Sequence, residues 1–233
     1  KVKSMARELG GHAPARIVAD ANGERAAKGL AGLKFLNAGQ ACISPNRIYV
    51  HRQMLDRFLE VFLQRVRTLK VGNGLEADTR LGPLVDDAAL DKVTLQVSEA
   101  LDLGANILTG GDRVTANGLD RGCFYAPTIL TNVTPEMRIY REETFGPVAP
   151  IIAFDDKDDV VAMANDTDYG LAAYVFTENI ARAMRVMEAL NFGIVGVNDV
   201  NPSSAAAPFG GMKNSGLGRE GGAEGIREYL ETK

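Results

Sequence analysis

Short apolar stretches of strand length alternate with helix-length segments along the whole chain. In chain order the predicted elements are strand 16–19, helix 22–36, strand 47–50, helix 54–69, helix 86–103, strand 106–108, strands 128–130 and 149–154, helix 157–165, strand 172–176, helix 180–190 and strand 194–198. Helices between short apolar strands are typical of parallel βαβ units, whose sheet is covered on both faces. The sequence therefore predicts an α/β fold with an open, mostly parallel sheet and helices on both faces.

Composition narrows the function classes. With 233 residues and 45% hydrophobic content, the chain can bury the core of one large domain or two small ones. A formal net charge of −4 gives no basic surface for nucleic acid, and no apolar run is long enough to cross a membrane. Two cysteines outside any metal-type spacing predict a cytoplasmic location and no metal site.

A thiol ends a small-residue turn that follows the first predicted helix. The segment from Phe35 to Cys42 reads Phe-Leu-Asn-Ala-Gly-Gln-Ala-Cys. An ordinary thiol is only about 3% ionised at pH 7, so a reactive cysteine needs backbone N–H groups or a cation that favours the thiolate. The turn would let backbone amides approach the sulfur. Cys42 is therefore either a nucleophile or a small buried hydrophobe.

Two acidic segments could supply partners for this thiol. Glu8 precedes a Gly-Gly turn, one β-α unit before Cys42, and is either a general base at the same sheet edge or a solvated acid. Glu143 and Phe145 lie in Glu-Glu-Thr-Phe-Gly-Pro-Val, just before a buried strand. This second segment is either a polar loop or a site in which a carboxylate accepts ribose hydroxyls and an aromatic packs on a heterocycle.

Four motifs together resemble the aldehyde dehydrogenase superfamily in order and spacing. They are Glu-Leu-Gly-Gly at 8–11, Phe-Leu-Asn-Ala-Gly-Gln-Ala-Cys at 35–42, Glu-Glu-Thr-Phe-Gly-Pro-Val at 142–148 and Pro-Phe-Gly-Gly-Met-Lys-Asn-Ser-Gly at 208–216. The resemblance covers the whole chain, and Gly-Ile-Val-Gly-Val-Asn at 193–198 is similar to the succinate-semialdehyde dehydrogenase branch. Residues 1–233 are accordingly expected to be the catalytic domain, without the dinucleotide-binding domain of the family.

The resemblance implies a mechanism with named residues. Cys42 attacks the aldehyde to give a thiohemiacetal, NAD or NADP takes the hydride, and Glu8 activates the water that hydrolyses the thioester. Glu143 would hold the nicotinamide ribose and Phe145 would lie beside the nicotinamide ring. Asn198 would either fix the active-site loops or serve only as a structural hydrogen-bonding residue. The resemblance also implies two kinds of partner for the protein. One is a small aldehyde substrate, and the other is further copies of the full-length protein in a homo-oligomer.

The substrate is the open part of this interpretation. In the succinate-semialdehyde branch an arginine six residues before the nucleophile binds the substrate carboxylate, whereas this chain has Leu36. A substrate loop with Ser203, Ser204 and Phe209 could still donate hydrogen bonds to a carboxylate. The candidates are thus succinate semialdehyde and a small or apolar aldehyde.

Two other functions fit the same residues. A cysteine and a glutamate without a cofactor could cleave activated esters, which would make the isolated chain a cysteine-dependent esterase. A non-catalytic domain that only mediates assembly is the third alternative.

Overall fold

The computed structural model describes Lys3 and residues 5–233. Its strands are β1 (Arg7–Glu8), β2 (Ala13–Ile17), β3 (Pro45–His51), β4 (Asn106–Thr109), β5 (Thr128–Thr131), β6 (Val148–Phe154), β7 (Tyr169–Gly170), β8 (Ala172–Phe176), β9 (Ile194–Val197), β10 (Met212–Lys213) and β11 (Gly216–Leu217). Its α-helices are α1 (Gly23–Lys34), α2 (Leu55–Arg67), α3 (Asp87–Asp102), α4 (Arg138–Arg141), α5 (Val160–Asn165), α6 (Ile180–Ala189) and α7 (Gly222–Gly225).

Seven of the strands form one sheet in the order β4-β5-β6-β3-β2-β8-β9. All neighbours in this sheet are parallel except β4, which pairs antiparallel with β5 at the edge. The predicted open, mostly parallel sheet is confirmed.

Alternating side chains of the central strand β3 show how both faces are covered. Ile48 and Val50 pack in a core that contains residues of α1 and α2. Tyr49 points to the opposite face, into a core that contains Val93 of α3 and Ile139 of α4. Each strand residue in the centre is therefore buried whichever way it points, which explains the nearly continuous apolar runs.

The predicted strand 16–19 is wrong at both ends, because β2 runs from Ala13 to Ile17. Its register shifts between Ala13 and Pro14, and a bulge of this kind is where a proline fits into a central strand. The small residues of this segment gave no strand-like apolar pattern. β2 nevertheless pairs with β3 on one side and with β8 on the other.

Two pairs of two-residue strands were not predicted. β1 pairs antiparallel with β11, and β7 pairs antiparallel with β10. The first pair joins the Glu-Leu-Gly-Gly motif to the last motif, since Glu8 lies opposite Gly216. Two residues are too few to show a periodic pattern.

Neither a membrane span nor a metal cluster is found in the part of the chain that the structure describes. None of the helices there combines the length and the apolar character needed to cross a bilayer. No group of three or more His, Cys, Asp or Glu side chains there is arranged to hold a metal ion.

Candidate active site

Three of the predicted site residues lie just before three neighbouring parallel strands. Glu8 precedes β2, Cys42 precedes β3 and Glu143 precedes β6. Since these strands run in the same direction, their amino ends share one edge of the sheet, which we call the amino edge. The site therefore forms at the amino edge, whereas ligands of open α/β sheets commonly bind at the carboxyl ends of the strands.

A left-handed turn carries the thiol. Asn37, Ala38 and Gly39 all have positive φ, at 50°, 57° and 75°. A Cβ on Gly39 would overlap the Gly146 carbonyl oxygen, so only glycine allows this turn to pack on the 142–148 segment. The side chain of Gln40 ties the turn to the loop before α3, because its Oε1 accepts from the Val85 amide at 2.9 Å.

The turn at Gly10 and Gly11 brings the other two segments against the thiol segment. A Cβ on Gly11 would overlap the carbonyl oxygen of Cys42, and one on Gly10 would overlap the Glu143 carboxylate. The Gly11 amide donates to Glu143 Oε1 at 2.7 Å. The two glycines thus allow the segments of Glu8, Cys42 and Glu143 to meet without intervening side chains.

Ser215 connects the fourth motif to the same turn. Its side chain is fully buried, with Oγ donating to the Gly10 carbonyl at 2.7 Å and accepting from the Gly170 amide at 2.9 Å. Its own carbonyl accepts from the Leu9 amide at 3.0 Å. Ser215 therefore fixes the backbone next to Glu8. The signal for this role in the sequence is its place in the Gly-rich motif at 208–216.

Glu8 and Cys42 are electrostatically coupled. Burial raises the pKa of the Cys42 thiol to about 11, and the charge of the Glu8 carboxylate adds to this rise. Burial also raises the pKa of Glu8, while the nearby thiol lowers it. Glu8 Oε1 is buried and has no hydrogen-bond partner among the described residues. A carboxylate with an unpartnered oxygen beside a thiol is placed to accept a proton from the thiol or from water.

The backbone of the turn approaches the sulfur but does not make Cys42 a thiolate at neutral pH. The Cys42 amide does lower the pKa of its own thiol, but burial and Glu8 outweigh this effect. The Cys42 thiol is therefore mostly protonated at neutral pH.

Labelling of the Cys42 thiol is expected to depend steeply on pH. With a pKa of about 11, the thiolate fraction and thus the rate of iodoacetamide alkylation rise about tenfold per pH unit between pH 7 and 10. Peptide mapping by mass spectrometry separates Cys42 from Cys123, which lies near Asp87. An alkylation rate of Cys42 that stops rising at pH 8 to 9 would contradict the raised pKa.

Glu143 and Phe145, the two residues expected to bind the cofactor, lie in the segment before β6. Burial raises the pKa of Glu143, and the hydrogen bond from Gly11 opposes this rise. Phe145 is 37% exposed and has a φ of 51°, a left-handed conformation that is rare for an aromatic residue. Glu143 is held through Oε1 next to the two glycines, two residues before Phe145 in the chain. These residues fit the ribose and the ring of the expected cofactor.

The residues expected to contact substrate lie on a segment that returns to the amino edge. Ser203 and Ser204 are exposed, and Ser204 Oγ accepts from the Ala206 amide at 3.3 Å. Phe209 and Glu8 both line a cavity of about 50 Å³. Leu36 is 56% exposed at the start of the nucleophile turn. Phe209 is thereby brought next to Glu8, while the two serines remain on the exposed part of the segment.

Asn198 lies at the opposite edge of the sheet, where β9 ends. Its Oδ1 accepts from the Thr177 amide at 3.0 Å and its Nδ2 donates to the Thr177 carbonyl at 2.8 Å. Thr177 in turn follows β8. Both the oxygen and the nitrogen of the Asn198 side-chain amide are hydrogen-bonded to Thr177. This geometry corresponds to the structural role, one of the two roles considered for Asn198.

The fold and the site define a class of protein, an α/β domain with a thiol and two carboxylates gathered at the amino edge of a parallel sheet. The chain belongs to the aldehyde dehydrogenase family, whose model matches residues 1–233. The family predicted from the four motifs is confirmed.

Its relatives include semialdehyde dehydrogenases. The chain is 48% identical over 233 residues to the probable succinate-semialdehyde dehydrogenase (NADP+) of Sinorhizobium fredii. The match covers 100% of this chain and 47% of that protein. It is 49% identical over 232 residues to the non-phosphorylating aspartate-semialdehyde dehydrogenase of Halomonas elongata, covering 100% of this chain and 46% of that protein.

A solved structure has the same fold. The crystal structure of succinate-semialdehyde dehydrogenase from Burkholderia pseudomallei matches with a TM-score of 0.93 and 44% identity, over 98% of this chain and 46% of that one. The predicted similarity to the succinate-semialdehyde branch is confirmed. The chain spans about half the length of the relatives that it matches.

Proposed function

We propose that the chain is the thiol-bearing catalytic domain of an NAD(P)-dependent enzyme that oxidises an aldehyde to a carboxylic acid. The observation that carries the proposal is the coupling of the Cys42 thiol to the Glu8 carboxylate at the amino edge. Both groups belong to motifs that resemble the family's nucleophile and base. The full-length protein would add the dinucleotide-binding domain and form a homo-oligomer. The cytoplasmic location expected from the two cysteines stays a prediction.

Cys42 forms the covalent bond to substrate in this proposal. Its sulfur attacks the aldehyde carbon after the thiol proton has been lost to solvent, and a thiohemiacetal results when the former carbonyl oxygen takes up a proton. The Cys42 amide, which already lies against its own sulfur, is placed to donate to the developing oxyanion. When bound, NAD(P)+ would supply the oxidising chemistry as the acceptor of the hydride from the thiohemiacetal, which becomes a thioester as its hydroxyl proton is lost to solvent.

Glu8 completes the reaction by activating water. Burial raises its pKa, so the carboxylate is a stronger base than an exposed glutamate. Water gives a proton to Glu8 and attacks the thioester carbon. The bond from this carbon to the Cys42 sulfur then breaks, which regenerates the thiol and releases a free carboxylic acid. A base that activates water favours this product over transfer of the acyl group to a second thiol.

The proposed substrate carries a carboxylate of its own. The two relatives described above are named for succinate semialdehyde and aspartate semialdehyde. The hydroxyls of Ser203 and Ser204 are exposed on the segment that leads to Phe209 and would donate to such a carboxylate. Leu36 offers no charge for this purpose and favours a small apolar aldehyde as the alternative.

The test follows NAD(P)H formation by the full-length protein with succinate semialdehyde, propanal and glutaraldehyde. A higher kcat/KM for succinate semialdehyde than for propanal supports the carboxylate-bearing substrate, and the reverse order supports the apolar one. Failure to form NAD(P)H with any aldehyde would overturn the proposed oxidation.

Ester cleavage is a second candidate activity for the chain without a cofactor. The observation in its favour is that the thiol and its coupled carboxylate both belong to this chain. p-Nitrophenyl acetate hydrolysis by the chain, measured before and after Cys42 is alkylated, tests this activity. If no ester is cleaved and Cys42 is not labelled, a non-catalytic assembly domain is the remaining alternative.

Glu143→Gln is expected to raise the KM for NAD(P)+ about 10- to 100-fold, because a charge-assisted hydrogen bond to the cofactor ribose is replaced by a weaker neutral one. Steady-state kinetics of the full-length protein measure this change. Glu142→Gln is the matched control, since Glu142 is exposed and pairs with Arg138 on the surface. Equal KM values for the two variants would refute the role of Glu143.

A further inference from the structure

Lys34 is a lysine buried in the core next to the nucleophile turn. It is the last residue of α1 and is 0% exposed. Its Nζ donates to Asn46 Oδ1 at 2.7 Å and to Ser44 Oγ at 3.2 Å. Both acceptors are neutral side chains. Because a lysine is almost never fully buried without a charged partner, this placement calls for a function beyond packing.

The two hydrogen bonds close the base of the segment that carries Cys42. Lys34 lies immediately before this segment, and Ser44 and Asn46 lie immediately after the thiol. A single amine thus holds the chain where it enters the left-handed turn and where it leaves for β3. The position of the Cys42 sulfur depends on how these two ends are held.

Asn46 extends the connection to the other segments of the site. Its Nδ2 donates to the Gly11 carbonyl at 3.4 Å, and the Gly11 amide donates to Glu143 Oε1 at 2.7 Å. Gly11 also contacts the Cys42 carbonyl. A continuous path of hydrogen bonds therefore runs from Lys34 through Asn46 and Gly11 to the carboxylate of Glu143.

Lys34 and Glu143, the two ends of this path, also interact through their charges. Burial lowers the pKa of Lys34 to about 7, and the negative charge of Glu143 opposes this effect. In turn, Lys34 together with Lys92 lowers the pKa of Glu143 against the rise caused by burial. The amine thus favours the ionised form of the carboxylate.

We propose that Lys34 is a positioning residue for cofactor binding, which holds the Cys42 segment and the Glu143 carboxylate in one arrangement through Asn46 and Gly11. The roles of Cys42 and Glu143 in it rest on the proposed function. Lys34 touches neither substrate nor cofactor; it acts through the groups that do.

Lys34→Met in the full-length protein tests the proposal, because methionine keeps a similar volume and removes both hydrogen bonds. The dissociation constant of NADPH, measured by its fluorescence, is expected to rise about tenfold, the size of effect expected when buried polar partners lose a charged donor. The KM for the aldehyde should change by less than about twofold, a split that a general loss of packing would not produce.

A double-mutant cycle tests whether the effect of Lys34 on cofactor binding passes through Glu143. If Lys34 acts through Glu143, Lys34→Met added to Glu143→Gln should raise the NADPH dissociation constant by less than about twofold, because coupled residues are not additive. Fully additive effects would overturn the proposal. Lys28→Met is the matched control, since Lys28 lies on the same helix but is exposed and pairs with Glu24.

A second variant keeps the proposal falsifiable if Lys34→Met does not fold. Ser44→Ala removes one of the two hydrogen bonds, and it should raise the rate of Cys42 alkylation by iodoacetamide about threefold by loosening the segment. This alkylation is measured on the chain itself and needs no turnover, so it is independent of whether any aldehyde is oxidised. An alkylation rate equal to that of the parent would contradict the proposal.

Discussion

Cys42→Ser is expected to lower NAD(P)H formation by the full-length protein on the order of 10⁴-fold or more. A serine hydroxyl has nearly the shape of the thiol, so the left-handed turn and its contact with Gly11 are kept. The hydroxyl loses its proton far less readily than a thiol and is a poorer nucleophile. Catalysis through a covalent thiohemiacetal therefore ends while the fold remains.

The other cysteine provides the control for this experiment. Cys123 has a different partner, since its Sγ donates to Asp87 Oδ1 at 3.3 Å. Cys123→Ser should leave the rate within about twofold of the parent, because a serine hydroxyl can donate the same hydrogen bond. Activity of Cys42→Ser above about 1% of the parent would exclude a covalent role for this thiol.

Glu8→Gln is expected to give one burst of NAD(P)H and then stall at the thioester. Glutamine keeps the shape of the side chain but cannot accept a proton from water, so the steady-state rate should fall about 10²- to 10⁴-fold. Stopped-flow absorbance measures the burst and the later rate. A steady-state rate equal to that of the parent would show that another group is the base.

A chemical rescue separates loss of the base from damage to the site. Hydroxylamine attacks a thioester without help from a base, so adding it should restore turnover of Glu8→Gln after the burst. The parent should also lose deacylation as the pH falls, because protonation removes the base and burial places this loss at a higher pH than for an ordinary glutamate. If hydroxylamine has no effect, the variant is blocked before the thioester forms.

Much of the sheet could be predicted from the sequence because its central strands are buried on both faces. β6 and β8 have apolar residues at nearly every position, and β3 has an apolar run from residue 48 to 50. Helices of 12, 13 and 16 residues separate the earlier strands. β2 was misplaced because it consists largely of small residues and proline. Its position follows from pairing with β3 and β8, which is a property of the whole fold.

The sequence also indicated which motifs form the site, but not how they are held together. Glu8, Cys42 and Glu143 were identified from their motifs, and the structure brings their segments together. The glycine contacts depend on segments more than 100 residues apart, as between Gly11 and Glu143. The raised pKa of Cys42 could not be predicted from the motif, because burial is not visible there. Lys34 was overlooked because its partners become neighbours only when the nucleophile segment folds.

The raised pKa of Cys42 also bears on the chemical durability of this protein. Peroxide oxidises thiolates far more readily than thiols, and a sulfinic or sulfonic acid at this position would be irreversible damage. A thiol whose pKa is held at about 11 is almost entirely protonated at neutral pH. The resting domain therefore resists oxidative inactivation, and its nucleophile becomes vulnerable only when a base removes its proton.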